Sequence, residues 1–193
     1  MRSERRLARL ESVSRHRQPD LTVVLENIHD PHNVSAVLRT ADAVGIHTVQ
    51  LLYTKEKFPK LGRKSSASAV KWIERRAFHS VEECYSALRA EGYAIYATQI
   101  GPHSRSVYDL DLTGKVALVF GNEHRGVSPD AARLADAIFQ IPMMGMIQSL
   151  NVSVACAVCL YEALRQRAAK GMYDRPGLPA ETIEELFKHW MKK

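Results

Sequence analysis

The sequence is poor in the features that mark several large protein classes. It has three cysteines, Cys84, Cys156 and Cys159, in 193 residues, too few and too unevenly placed for a disulfide framework. No apolar run approaches the roughly 20 residues that cross a bilayer. The N-terminus is rich in arginine with no apolar segment behind it, unlike an export signal. These absences lead to the expectation of a cytoplasmic protein with no membrane partner. Cys156-x-x-Cys159 has ligand-like spacing, but no second pair follows it, so both cysteines read as core residues. His29 and His32 lack companions in the same way, and no metal site is expected. Nucleotide and hydrolase signatures are missing too. Gly121-x-x-x-x-Gly126 has the length of a P-loop without the Lys and Ser/Thr that grip phosphate and magnesium; no G-x-G-x-x-G follows the first strand, and no G-x-S-x-G occurs.

What is present describes an ordered α/β protein. The 46% hydrophobic and 25% charged fractions are those of a globular chain, and the length suits one domain with appended structure. A formal charge of +6 points to a polyanionic partner. The excess is concentrated at the ends. Residues 1–19 hold six arginines against two glutamates, and Arg165, Arg167, Lys170 and Arg175 form a second cluster.

Hydrophobic periodicity sets out the elements. Residues 2–17 read as a short basic helix with Leu7, Leu10 and Val13 on one face. Strands are expected at 21–26, 48–53, 70–77, 93–98, 116–120 and 137–141, and helices at 33–44, 80–91, 130–136, 150–170 and 178–193. Asn33 is a plausible cap for the second helix and Gly45 its terminator. Ser80 and Glu83 form a capping box for the next. Residues 54–68 make a polar loop long enough to be functional. The alternation predicts an α/β fold with a largely parallel sheet and helices on both faces, whose ligands bind beyond the carboxyl ends of the strands. Ser149 and Asn151 stand at the start of the 150–170 helix, where they can cap it or face a ligand. Arg39 either lies beside a crevice or pairs with Asp42, three residues on.

Three segments carry a resemblance. Asn33-x-x-Ala-x-x-Arg39-Thr, Phe120-Gly-Asn-Glu-x-x-Gly-Val127 and Ile141-Pro-Met-x-Gly-x-x-x-Ser149-Leu-Asn-Val-Ser-x-Ala resemble the three ordered motifs of the SPOUT superfamily of RNA 2′-O-ribose methyltransferases. Gln18-Pro-Asp-Leu-Thr-Val, Pro31-His-Asn, Arg165-Gln-Arg and Tyr173-Asp-Arg are most similar to its TrmH (SpoU) subgroup, which methylates guanosine 18 in the D-loop of tRNA. The resemblance covers residues 17–175. It implies a C-terminal deep trefoil knot, S-adenosylmethionine as methyl donor, no metal, a tRNA substrate and a homodimer in which the first motif completes the partner's site.

The same resemblance implies residue roles. Thr98, Gly121, Ile141, Met146, Ser149 and Leu150 would hold the cofactor. Asn33, Glu123, Ser149 and Asn151 would shape the reacting centre around Arg39, the family's catalytic residue. Arg39 would act either as base or as a charged clamp, the second leaving Glu123 as proton acceptor. Arg6, Arg9, Arg15, Arg17, Arg165, Arg167 and Arg175 would contact RNA phosphates. The expected organisation is a basic extension at 1–19, a methyltransferase domain at 20–171 and a helical extension at 172–193. Competing readings are an enzyme for ribosomal RNA or the tRNA anticodon loop, and a non-catalytic RNA-binding protein. The joint presence of Arg39, Glu123, Ser149 and Asn151 argues against the last.

Overall fold

The computed structural model of the chain describes residues 3–61 and 69–193. Seven strands form one sheet in the order β3-β2-β1-β6-β4-β7-β5: β1 (Leu21–Glu26), β2 (Thr48–Leu52), β3 (Glu74–Phe78), β4 (Ala94–Thr98), β5 (Arg105–Ser106), β6 (Val116–Phe120) and β7 (Ala137–Gln140). Every pairing is parallel. The centre is β1 against β6, in register from Leu21 opposite Val116 to Leu25 opposite Phe120. Both strands are buried along their whole length, which is why their sequences are nearly continuous apolar runs rather than alternating ones.

Successive side chains point to opposite faces of the sheet and divide the core in two. Leu21, Val23, Leu25, Leu118 and Phe120 join α2 (Pro31–Ala43) and α5 (Val152–Ala169) in one cluster. Val24, Ala117 and Val119 join α3 (Val81–Ala90) and α4 (Pro129–Leu134) in the other. The cysteines belong to these clusters, and burial pushes the thiols of Cys84 and Cys159 up to about 12. A third, smaller cluster joins the ends of the chain: Leu10 of α1 (Glu4–Arg15) packs with Leu186 and Trp190 of α6 (Ala180–Met191).

Local chemistry moves several boundaries. α2 begins at Pro31 rather than Asn33, because Asp30 caps it by accepting from His32 N at 2.8 Å and proline at the first position has no N–H to satisfy. α5 starts at Val152, capped by Asn151, whose Oδ1 accepts from Ser153 N at 2.9 Å. The strand expected at 70–77 begins only at Glu74, after a 3₁₀ turn over Ala69–Lys71. The polar loop expected at 54–68 is described as far as Leu61, and its remainder lies outside the described residues.

Two arginines overturn their expected role. Arg17 and Arg167 were expected on RNA, yet both are fully buried. Arg17 donates to Ile46 O at 2.8 Å, Asp42 Oδ1 at 2.7 Å and Trp72 O at 3.1 Å, with its guanidinium 5.0 Å from the Trp190 ring centre. Asp42 is therefore the partner of Arg17 and not of Arg39. Arg167 donates to Leu112 O at 2.9 Å, Gln18 Oε1 at 3.2 Å, Asp20 O at 3.0 Å and Gly114 O at 2.6 Å. Burial lowers both pKa values, partly offset by Asp42 for Arg17 and by Tyr173 and Asp20 for Arg167. Guanidiniums so buried present no surface to phosphate. They pin the chain ends to the amino-terminal edge of the sheet.

Candidate functional site

A cavity of about 680 Å³ opens at the carboxyl ends of β4, β6 and β7. Thr98, Phe120 and Gln140 bring the strand ends to it, and the loops after β6 and β7 close it. The β6 loop is turned back on itself: Gly126 N donates to Asn122 O at 2.8 Å, and Gly126 has a φ of 67°. A Cβ on Gly121 would sit 2.0 Å from the Gly126 carbonyl carbon. The spacing of these two glycines thus serves a tight turn, with no room for any side chain at Gly121. Asn122 completes the turn, accepting from His124 N and Arg125 N through Oδ1 and donating to Asn27 O at 2.8 Å.

Three distant segments meet at the mouth of this cavity. Glu123 accepts from Asn33 Nδ2 at 2.9 Å and Asp30 N at 3.1 Å through Oε1, and from His29 N at 3.0 Å through Oε2. Asn33 in turn accepts from Asn151 Nδ2 at 3.0 Å. Burial pushes the Glu123 carboxyl up, but the hydrogen bonds from Asn33, His29 and Asp30 outweigh it and hold the group below the ordinary 4.5. A carboxylate held by three donors is stabilised in its charged form and is a poor proton acceptor. Its geometry is that of a strut joining the β6 loop to the start of α2, and the expectation of Glu123 as base is corrected accordingly.

Of the expected cofactor residues, Thr98, Gly121, Ile141, Ser149 and Leu150 line the cavity. Met146 does not; it is 98% exposed, and Met143 takes the lining position. Arg39 is exposed on α2, does not line the cavity, and has no hydrogen bond or ion pair among the described residues. Arg6, Arg9, Arg15, Arg165 and Arg175 are exposed. Arg165 is held by Glu162 through two bonds of 2.8 and 2.9 Å.

Sequence reasoning missed Asn27. It has a φ of 52°, uncommon outside glycine and most tolerable in Asn and Asp, and its Oδ1 accepts from Thr54, Lys55 and Glu56 N–H groups at 3.0, 3.2 and 3.4 Å. One residue so ties the root of the polar loop to the β6 turn. An asparagine directly after an apolar strand is the only local signal for it. Arg125 and Glu56 form an ion pair between the same two loops.

A model of the SpoU rRNA methylase family matches residues 20–161. The chain is 45% identical over 192 residues to the tRNA (guanosine(18)-2′-O)-methyltransferase of Thermus thermophilus, covering 100% of this chain and 98% of that one. Among solved structures it is similar to the Aquifex aeolicus TrmH/SpoU tRNA modifying enzyme, with a TM-score of 0.92, 40% identity and coverage of 98% and 96%. It is also similar to the SpoU methyltransferase AviRb of Streptomyces viridochromogenes in complex with the cofactor AdoMet, with a TM-score of 0.70, 30% identity and coverage of 79% and 62%.

Proposed function

Because the chain belongs to the SpoU rRNA methylase family, we propose that the cavity at the strand ends is a methyl-transfer site acting on tRNA. The protein is a tRNA (guanosine-18-2′-O)-methyltransferase, the activity named for relatives 40–45% identical to it. The observation that carries the assignment to this cavity is the Glu123–Asn33–Asn151 junction, which joins residues 90 and 118 positions apart at its mouth.

S-adenosylmethionine is the donor the cavity suits. Its volume lies within the range of small-molecule sites. Ile141, Met143 and Leu150 offer apolar contact for an adenine ring, while Thr98 and Ser149 offer polar atoms. When bound, the donor supplies an activated methyl on sulfonium, so that the ribose 2′-oxygen forms a C–O bond as the C–S bond breaks, leaving a thioether and releasing the hydroxyl proton to water. No metal is needed for a displacement at this already activated carbon. The protein's contribution is placement, which can lower a barrier by about 7–11 kcal/mol. Asn33, Glu123 and Asn151 fix the wall of the site, and Ser149 reaches its rim. Arg39 acts as a charged clamp, since a guanidinium is protonated at neutral pH. It holds the phosphate next to the reacting ribose and stabilises the developing alkoxide.

Arg39 reaches that position from a second subunit. Its absence from the cavity of its own chain supports a homodimer, as does the apolar surface of Val154 and Tyr161 on α5, continuous in sequence with exposed Met144, Met146, Ile147 and Leu150. The segment after β7 forms a deep trefoil knot; support comes from the family and from the insertion of β7 between β4 and β5. The extensions at 1–19 and 172–193 hold RNA through Arg6, Arg9, Arg15 and Arg175, with Arg165 beside them. The protein works in the cytoplasm, and among the described residues no helix is long and apolar enough to cross a membrane.

Transfer of label from methyl-labelled cofactor to a tRNA transcript, followed by mapping of the modified ribose, tests the reading. Label is expected on the D-loop guanosine. Label confined to another site would overturn it.

A further inference from the structure

A second cavity, of about 490 Å³, lies between α1 and α6. One wall is α1, whose Arg5, Arg6 and Arg9 are exposed and make no side-chain ion pair or hydrogen bond among the described residues. Arg5 and Arg9 are one turn apart and share a face of the helix. The apolar part of the lining is Leu10 and Val13 of α1 itself together with Trp72 and Trp190 from the segments packed against that helix, the two indoles meeting edge to face with ring centres 5.7 Å apart. Asp42 also borders the cavity, but its carboxylate is bound by the buried Arg17 at 2.7 Å and so does little to neutralise the arginines. Trp190 is nearly covered, whereas Trp72 is half-buried and offers ring surface to a ligand.

Unpaired guanidiniums beside an apolar lining that includes a half-buried indole match a ligand that is anionic at one end and flat and apolar at the other. Inorganic phosphate would use only the arginines. A nucleotide would use both, its base on the aromatic surface and its phosphates on the cations, as single-stranded nucleic acid is held elsewhere. We propose that this cavity takes one unstacked nucleotide of the RNA substrate, with its base against Trp72 and flanking phosphates on Arg5, Arg6 and Arg9; the proposal rests on the RNA reading above. Asp42 follows Asn33 by nine residues of one helix, about 14 Å along its axis. The nucleotide held here is therefore a different one from the nucleotide that is methylated.

The chain has two tryptophans, and both line this cavity, so intrinsic emission reports on it directly. The full-length protein is titrated with a tRNA transcript, a single-stranded RNA trinucleotide, an abasic oligomer of equal charge and free guanosine monophosphate. The transcript and trinucleotide should quench the emission, the abasic oligomer should not, and the free nucleotide should bind at least tenfold more weakly than the trinucleotide. Arg5→Ala with Arg9→Ala should weaken trinucleotide binding at least tenfold while melting temperature and S-adenosylmethionine affinity stay fixed. Equal affinity and quenching by the abasic oligomer would overturn the base contact, and equal binding of free nucleotide would overturn RNA as the occupant. Label transfer in the same samples separates the two readings. A methylated transcript with silent emission removes this proposal alone, whereas quenching without methylation removes the reaction and leaves the cavity.

Discussion

Arg167→Ala should unfold the protein more readily and leave its RNA electrostatics unchanged. The side chain is fully buried, and truncation strips a donor from Leu112 O, Gln18 Oε1, Asp20 O and Gly114 O. An orphaned buried acceptor costs about 1–3 kcal/mol. Asp20 O keeps its bond from Val116 N at 2.9 Å, and water entering the vacated space restores part of the rest. Two or three neutral acceptors left partly unpaired put the net loss at about 3–5 kcal/mol. For a chain of this size each kcal/mol moves the midpoint by about 2–4 °C, so thermal unfolding followed by circular dichroism should show a fall of roughly 6–20 °C. Below that midpoint, the slope of log Kd for tRNA against log salt should match the wild type. Arg165→Ala is the contrast: the buried Glu162 loses its cation but keeps its bond from Gln166, so the midpoint should fall less than in Arg167→Ala, while the salt slope falls by about 0.7–0.9, one phosphate contact. An Arg167→Ala protein that melts normally and loses salt slope would refute the structural assignment of this residue.

Three further outcomes follow from the site. Arg39→Ala should reduce single-turnover methylation at least 100-fold, the scale of misplaced reacting groups, with cofactor affinity by calorimetry near wild type. Glu123→Gln should cost about 1–3 kcal/mol and flatten the acid limb of stability. The folded-state pKa of Glu123 lies below 4.5, so its contribution is complete above that value and is lost as pH falls through the folded pKa; denaturant melts at neutral and acid pH should show a smaller difference in the variant. Asn27→Ala should destabilise by about 1–3 kcal/mol, through three lost loop bonds and a left-handed backbone. Asn27→Gly should recover the backbone part only, as read by denaturant melts.

The sheet was legible because burial on both faces leaves a direct mark on composition. Leu21–Glu26 and Val116–Phe120 have few polar residues to place, so their strand state could be read directly, while their central position came only with the structure. The edges were harder. Glu74–Phe78 pairs on one side only, and its charged residues carry no strand periodicity; the two-residue β5 has no pattern at all. At the site, residue types and motif order brought Asn33, Glu123 and Asn151 together correctly. Their charges did not reveal direction, and Glu123 proved to be an acceptor already engaged by three donors. The basic ends misled for a related reason. Sequence counts arginines without regard to what lies beneath them, and Arg17 and Arg167 differ from Arg15 and Arg165 only in facing inward.

Helix α2 is held at both ends: Asn33 is bonded to Glu123 and Asn151, and Asp42 to Arg17. Thirteen residues long, it spans about 20 Å between the carboxyl and amino ends of the strands and so works as a fixed gauge between the two cavities. Adding one residue would lengthen the gauge by only about 1.5 Å but turn everything beyond it by about 100°. The strict quantity is thus phase rather than length. Substitutions at the exposed positions of α2 leave this phase untouched, while single insertions or deletions within it would place Arg39 and Asp42 on the wrong sides.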